Sequence, residues 1–318
     1  MKSSRVCILG GTGFVGRHLL PRFSADGITC IVLSRHPERH PGLRTIPGVE
    51  LLQGNPFAAD DLNRALDGCD AAVNLVGILN ETGEADRFER LHLELGDRVV
   101  EACRDNGVRR LLHMSALNAD ETNGPSRYLR TKGEAESRAH TLGGARIQVT
   151  SFRPSVIFGP GDHFFNRFAR LLQALPGPFP LACPEARFAP VYVGDVVEAM
   201  RRTLRRPRER GRHYALCGPR SFTLRELVEY TASQLGLDKR IIGLGDGASR
   251  LQARLLGRLP GRPFTLDNYR TLQVDSVCDD NGLLALGITP TDIEAVVPLY
   301  LGGRAQRLRY RELRSRHR

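Results

Sequence analysis

No apolar run in this chain approaches the roughly 20 residues needed to cross a bilayer, so a membrane-spanning protein is not expected. The first strand-like run begins at residue 6, so a signal peptide is not expected. The seven cysteines (Cys7, Cys30, Cys69, Cys103, Cys183, Cys217 and Cys278) include no C-x-x-C pair. They read as small core residues in a reducing compartment, neither a disulfide framework nor a zinc site. The histidines show no ligand spacing, so no metal is expected. Repeats and low-complexity tracts are missing too. These absences leave a globular, cytoplasmic protein, for which 41% hydrophobic and 25% charged residues are ordinary values. A length of 318 residues suits one large or two moderate domains.

Charge is what the chain has in excess, with a formal net value of +11. Residues 201–212 carry seven arginines against one glutamate, and residues 304–318 carry seven more against one. Between them, 249–261 sets Arg250, Arg254 and Arg258 on one helical stripe beside Leu251, Leu255 and Leu259. Such a helix suits an anionic membrane surface or an acidic partner, peripheral at the inner face of the membrane; the plainer alternative is a solvated face. No nucleic-acid motif is visible and aromatics do not interleave with the basic runs, so nucleic acid is not an expected partner.

The most informative stretch is residues 6–16. A short apolar run enters Gly10-Gly11-Thr12-Gly13-Phe14-Val15-Gly16, and an amphipathic helix leaves it. A strand of this kind hands a dinucleotide pyrophosphate to the positive end of a helix. Gly10 allows the tight turn, Gly13 lets phosphate approach the backbone, and Gly16 lets helix and strand pack closely.

Apolar runs at 6–9, 29–33, 49–53, 71–76, 110–114 and 148–152 alternate with helical patterns near 16–25, 60–67, 86–106 and 126–143. This rhythm predicts an α/β fold with a Rossmann-type, doubly wound parallel sheet over residues 1–155. After Arg153-Pro154 the rhythm breaks into a helix near 164–174, a strand at 189–192, a helix at 194–206, a strand at 213–217 and a helix at 223–235. A smaller, interleaved C-terminal substrate domain over 156–302 is therefore expected, with 188–206 returning to the sheet and 303–318 as a basic tail. Asp195 reads as a helix N-cap.

No acid stands at the end of the second strand, where it would accept from both ribose hydroxyls of NAD(H). Ser34-Arg35-His36 occupies the place instead. A guanidinium clamps a 2′-phosphate, so Arg35 favours NADP(H), with NAD(H) the alternative. Downstream, Ser115 closes a strand, and Tyr128 and Lys132 follow at i and i+4 on one helical face. An ammonium beside the nicotinamide ribose, with the cationic ring of the oxidised cofactor, would lower a tyrosine pKa from its usual value near 10. Tyr128 would then move a proton while Ser115 holds the substrate oxygen.

With these residues in place, the sequence is similar to the extended short-chain dehydrogenase/reductases of the NAD-dependent epimerase/dehydratase superfamily. It resembles an atypical branch that includes the dehydrogenase-like accessory subunit of respiratory complex I and its bacterial relatives. The likeness is carried by GGTGFVGRHLLPRF at 10–23, NLVGIL at 74–79, HMSALNAD at 113–120, YLRTKGEAES at 128–137, FRPSVIFGPGDHFFNRFARL at 152–171 and PVYVGDVVEAM at 190–200. It runs from residue 5 to about 302. The resemblance implies a tightly held nicotinamide dinucleotide, with the glycine loop on the pyrophosphate, Ser34 and Arg35 at the adenosine ribose, and Lys132 at the nicotinamide ribose. Asn74, Val76, Gly77 and Arg153 would lie along the cofactor, and Arg153-Pro154 would begin the segment leading into the substrate cleft. Active members have an asparagine where this chain has His92, read here as a half-exposed helix histidine or as a proton relay in its own right. Two functions are consistent with this: an oxidoreductase or epimerase on a hydrophobic carbonyl, alcohol or quinone, or a non-catalytic NADP(H)-binding accessory protein of a respiratory membrane complex. Phe158, Phe164, Phe165, Phe168, Leu171 and Leu172 would line a cleft for a hydrophobic substrate, or are plain core.

Overall fold

The computed structural model describes residues 4–81, 83, 87–205 and 212–302. The tail at 304–318 and most of the arginine run after Arg205 lie outside these residues. Strands β1 (Arg5–Leu9), β2 (Thr29–Ser34), β3 (Val49–Gln53), β4 (Ala71–Asn74), β5 (Arg110–Met114) and β6 (Gln148–Pro154) come first in the chain. Short strands β7 (Ile157–Phe158), β8 (Phe179–Leu181), β9 (Arg187–Phe188) and β10 (Val191–Tyr192) follow, then β11 (His213–Leu216), β12 (Phe222–Thr223) and β13 (Ile241–Gly243). Seven of them make one sheet in the order β11-β6-β5-β4-β1-β2-β3, and every pairing in it is parallel. The order reverses between β1 and β4, which is where an open α/β sheet leaves a crevice at its carboxyl edge.

Helices α1 (Phe14–Ala25), α2 (Ala59–Leu66), α3 (Leu95–Asp105), α4 (Arg127–Gly143), α5 (Phe165–Ala174), α6 (Val193–Leu204), α7 (Leu224–Gln234) and α8 (Asp246–Leu256) complete the main elements. Residues 5–9 are apolar almost throughout because β1 is covered on both faces. Cys7 and Leu9 pack with Leu62 and Leu66 of α2, Val99 and Cys103 of α3 and Ala139 of α4. Leu19, Leu20 and Phe23 of α1 and Val196, Ala199 and Met200 of α6 are buried as well, and Arg22 pairs with Glu198 between those two helices.

The chain forms two compact units: Met1–Pro154 with Val196–Leu216 and Asp280–Ile288, and Ser155–Asp195 with Cys217–Asp279 and Thr289–Arg318. In the second, Phe158, Phe165 and Leu172 are fully buried and belong to the core, while Phe164, Phe168 and Leu171 pack half-buried against it.

Several expectations need correction. The fourth strand stops at Asn74, whose side chain accepts the amide of Val76. The helix expected over 86–106 is interrupted by a π-helical turn at Glu89–Glu94 before α3 begins. Asp195 falls inside the first turn of α6, and its carboxylate accepts hydrogen bonds from the Thr291 amide (2.7 Å) and hydroxyl (3.0 Å). The basic helix ends at Leu256 with Gly257 as its cap, so Arg258 and Leu259 lie beyond it.

The cysteines divide. Cys7, Cys30, Cys69 and Cys103 are buried, and burial pushes the Cys30 and Cys103 thiols up to about 12 and that of Cys69 to about 11. They are inert core residues. Cys217 and Cys278, by contrast, form a disulfide across 61 residues, a long-range pairing that their spacing gave no hint of. Closing a loop of that length removes about 4 kcal/mol of unfolded-chain entropy in the chain-entropy account. Cys217→Ser should therefore lower the unfolding free energy by about 2–4 kcal/mol in urea titrations, and added reductant should do the same to the wild type. A wild-type midpoint indifferent to reductant would show that the bridge contributes nothing.

Candidate functional site

The carboxyl ends of β1, β2, β4, β5 and β6 gather the residues singled out by the sequence. Gly10 has φ +75, a left-handed conformation suited to glycine, and a Cβ there would lie 3.1 Å from the Leu75–Val76 backbone. A Cβ on Gly16 would lie 2.4 Å from the Gly11 carbonyl oxygen, so only glycine lets α1 start this close to β1. Gly13 caps α1 without a side-chain hydrogen bond, and no acid stands in the first turn. The helix thus presents backbone donors and the positive end of its dipole beside Thr12, Phe14 and Val15. Arg17 Nε donates to the Thr12 carbonyl at 2.9 Å and steadies the loop. This cradle fits a pyrophosphate.

Ser34 ends β2, and its hydroxyl accepts the His36 amide at 3.3 Å. Arg35 is exposed immediately after it. After β4, the buried Asn74 side chain accepts from the Val76 amide at 3.1 Å and shapes the turn that faces Gly10. At Gly77 a Cβ would lie 2.9 Å from Lys132 Nζ, so the turn needs a glycine for the lysine to reach its place.

Helix α4 carries the rest. Ser126 caps it by accepting the Leu129 amide at 3.1 Å. Gly133 lets the helix lie directly on the backbone of Asp120 and Glu121, where a Cβ would come within 2.6 Å. Tyr128, Lys132, Glu136 and His140 fall at i+4 intervals, one stripe facing inward. Lys132 is 4% exposed, and its ammonium donates to the Met114 carbonyl at 2.9 Å, one residue before buried Ser115. Burial lowers the Lys132 pKa to about 8 against the pull of Glu136, and pushes the Tyr128 hydroxyl up to about 12. The lowered tyrosine pKa expected from the sequence is therefore not a property of the protein alone, because desolvation raises it.

His92 is buried, at 2% exposure, and not half-exposed. The Thr131 hydroxyl donates to the Arg127 carbonyl (2.9 Å), so it accepts from His92 Nδ1 at 2.9 Å. Nε2 then accepts the Ile78 amide at 3.4 Å. Both ring nitrogens are committed in the neutral form, and burial and the charge of Lys132 hold the pKa down to about 2. The ring joins the β4 turn to α4 one residue before Lys132, a structural tie and not a proton carrier.

Glu136, absent from the sequence-based site, is 1% exposed. Arg153 Nε donates to both its oxygens, at 2.9 and 3.1 Å, and His213 Nδ1 meets Oε1. Burial raises the carboxyl pKa, but these partners override it and hold it at about 2. Arg153 Nε is thus held by Glu136, a partner that the sequence reading did not foresee. His113 on β5 is fully desolvated beside Lys132 and held at about 3. The i+4 stripe was visible as Y-x-x-x-K-x-x-x-E-x-x-x-H, but its partners on β6 and β11 were not.

With a glycine cradle opening an α/β sheet at its switch point and a Tyr–Lys pair on α4, the comparison with known proteins is decisive. The sequence profile of the NAD dependent epimerase/dehydratase family matches residues 6–217. The chain belongs to this family. It is 28% identical over 297 residues to the mitochondrial NADH dehydrogenase (ubiquinone) 1 alpha subcomplex subunit 9 of Rattus norvegicus, covering 90% of this chain and 77% of that protein. It is 30% identical over 251 residues to the (4-alkanoyl-5-oxo-2,5-dihydrofuran-3-yl)methyl phosphate reductase of Streptomyces griseus, covering 77% of this chain and 79% of the reductase. Among solved structures, DesIV, a dTDP-glucose 4,6-dehydratase from Streptomyces venezuelae with NAD and TYD bound, superposes with a TM-score of 0.73 at 20% identity, covering 93% of this chain and 95% of DesIV. The fold and membership of a nicotinamide-dinucleotide-binding family are thereby shown, as is similarity to complex I subunits.

The depressed histidines make acid stability testable. Folded His92 and His113 titrate below their ordinary 6.5, so below that pH the unfolded chain binds protons that the folded one refuses, and stability is lost as pH falls. The unfolding free energy should fall between pH 6.5 and 4.5, and His113→Leu should reduce the slope by about one proton. An unchanged slope would mean that His113 is protonated in the fold.

Proposed function

We propose that this family member is an NADP(H)-dependent oxidoreductase acting on a hydrophobic carbonyl, alcohol or quinone-like substrate, with Tyr128 as its acid/base. The observation that carries this reading is Tyr128 one helical turn from a buried Lys132 whose ammonium is fastened at the end of β5 beside Ser115. The bound dinucleotide would supply or accept hydride. Tyr128, protonated far above neutral pH, suits donation of a proton to the oxygen of a carbonyl being reduced. Ser115 would hold that oxygen, and Lys132 would hold the ribose and favour the phenolate once the proton has left. Arg35, exposed at the end of β2 with no hydrogen bond or ion pair among the described residues, is available to a 2′-phosphate. An epimerase would use the same tyrosine.

The test is to identify by mass the dinucleotide that purifies with the protein, then follow its oxidation state with quinones and carbonyls. NADPH consumption that falls by about 100-fold or more in Tyr128→Phe supports the enzyme. Arg35→Asp should weaken NADP(H) by about tenfold or more and leave NAD(H) much less affected. Equal effects on both cofactors would remove Arg35 from the ribose site.

A second reading, a non-catalytic accessory protein held at a respiratory membrane, is favoured by one observation. Leu251, Leu255 and Leu259 are 55%, 54% and 50% exposed on and just after α8, interleaved with Arg250, Arg254 and Arg258. A stripe of this chemistry fits the headgroup boundary of an anionic bilayer. Pelleting with anionic vesicles that is lost in high salt and in Leu251→Ser/Leu255→Ser supports it; pelleting unaffected by those changes excludes α8 as the contact.

A further inference from the structure

The polar network behind Lys132 extends to a group of side chains that the dinucleotide chemistry does not use. Glu136 and His140 stand one turn apart on α4, and His213 comes from β11, the edge strand of the same sheet. One ligand-type atom from each lies within 4.8 Å of the other two. The two imidazoles pack with ring centroids 4.7 Å apart at an interplanar angle of 40°. We propose that Glu136, His140 and His213 form a binding site for a divalent transition metal of the zinc class.

The donor set selects the ion. Two imidazoles and one carboxylate suit zinc, cobalt or nickel, whereas magnesium and calcium require mostly oxygen ligands. Zinc bonds near 2.0–2.2 Å place adjacent ligand atoms about 3.3 Å apart, a closure that small side-chain rotations provide from the present separation. Surrounding residues supply the orienting contacts that such sites use. Ser151 Oγ lies 2.9 Å from His140 Nε2, and Arg153 Nε grips the Glu136 carboxylate. His213 is 42% exposed at its side chain, which provides the entry path and an open coordination position. Metal binding replaces the His213–Glu136 contact, any proton on the ligating imidazole nitrogen passing to solvent, and the guanidinium of Arg153 competes for the carboxylate charge, so affinity is limited by that arginine. A bound ion would clip the edge strand to the helix that carries Tyr128 and Lys132, and it would compete with Lys132 for the charge of Glu136.

Cobalt is the probe. Untagged full-length protein titrated with Co2+ should develop visible d–d absorption that saturates at about one ion per chain and is displaced by Zn2+. His213→Ala, which alters a half-exposed side chain and leaves the Arg153–Glu136 pair in place, should weaken binding by about tenfold or more, as should His140→Ala. Arg153→Gln should strengthen it, an effect that no merely structural role of the arginine predicts; thermal unfolding of each variant verifies that it is folded. Absence of saturable absorption in the wild type, or absorption undiminished in folded His213→Ala, overturns the proposal.

Discussion

Lys132 and Glu136 are buried one turn apart on α4, and the carboxyl half of the sheet is organised around keeping both charged. An isolated ammonium or carboxylate in that environment would neutralise itself or destabilise the fold by several kcal/mol. Met114 offers its carbonyl to the lysine, while Arg153 and His213 converge on the glutamate from β6 and β11. Three strands are thereby tied to one helix through polar contacts. The pair is asymmetric: the lysine gives up its proton more readily than usual as pH rises, while the glutamate stays firmly ionised. Such an arrangement keeps a positive charge in a nearly dry place, where its effect on a neighbouring hydroxyl or ribose is strongest.

The glycine turns nearby depend on the absence of side chains. Gly10, Gly16 and Gly77 each sit where a Cβ would strike backbone or the lysine itself. Backbone amides at the start of α1 and a guanidinium at the end of β2 are left to meet an anion. The family's chemistry is compatible with every one of these features. His92, buried and bonded through both ring nitrogens, spans the β4 turn and α4.

The relatives divide between reductases and subunits of a respiratory complex, and this chain carries features of both. It carries a tyrosine and a buried lysine one turn apart on α4, and it displays exposed leucines between arginines on and just after α8. The two roles are physically compatible, since the Tyr–Lys pair belongs to the first compact unit and α8 to the second. A dinucleotide bound in the first unit also stabilises the fold by mass action whether or not it turns over.

The sequence by itself determined the parallel sheet, the glycine cradle and the Tyr128–Lys132 pair, because each depends on local periodicity or on residues within one or two helical turns. Hydrophobic runs, a G-x-x-G-x-x-G turn and i+4 spacing are short-range signals, and the chain states them directly. Only the tertiary structure decided the partners of Glu136, the burial and tautomer of His92, the commitment of Arg153 and the pairing of Cys217 with Cys278. Each of these joins residues separated by 17 to 77 positions, and contacts at that range are set by strand order and helix packing, which leave no periodic trace. The raised pKa of Tyr128 has the same origin, since desolvation is a property of everything packed around a group and not of its neighbours in the chain.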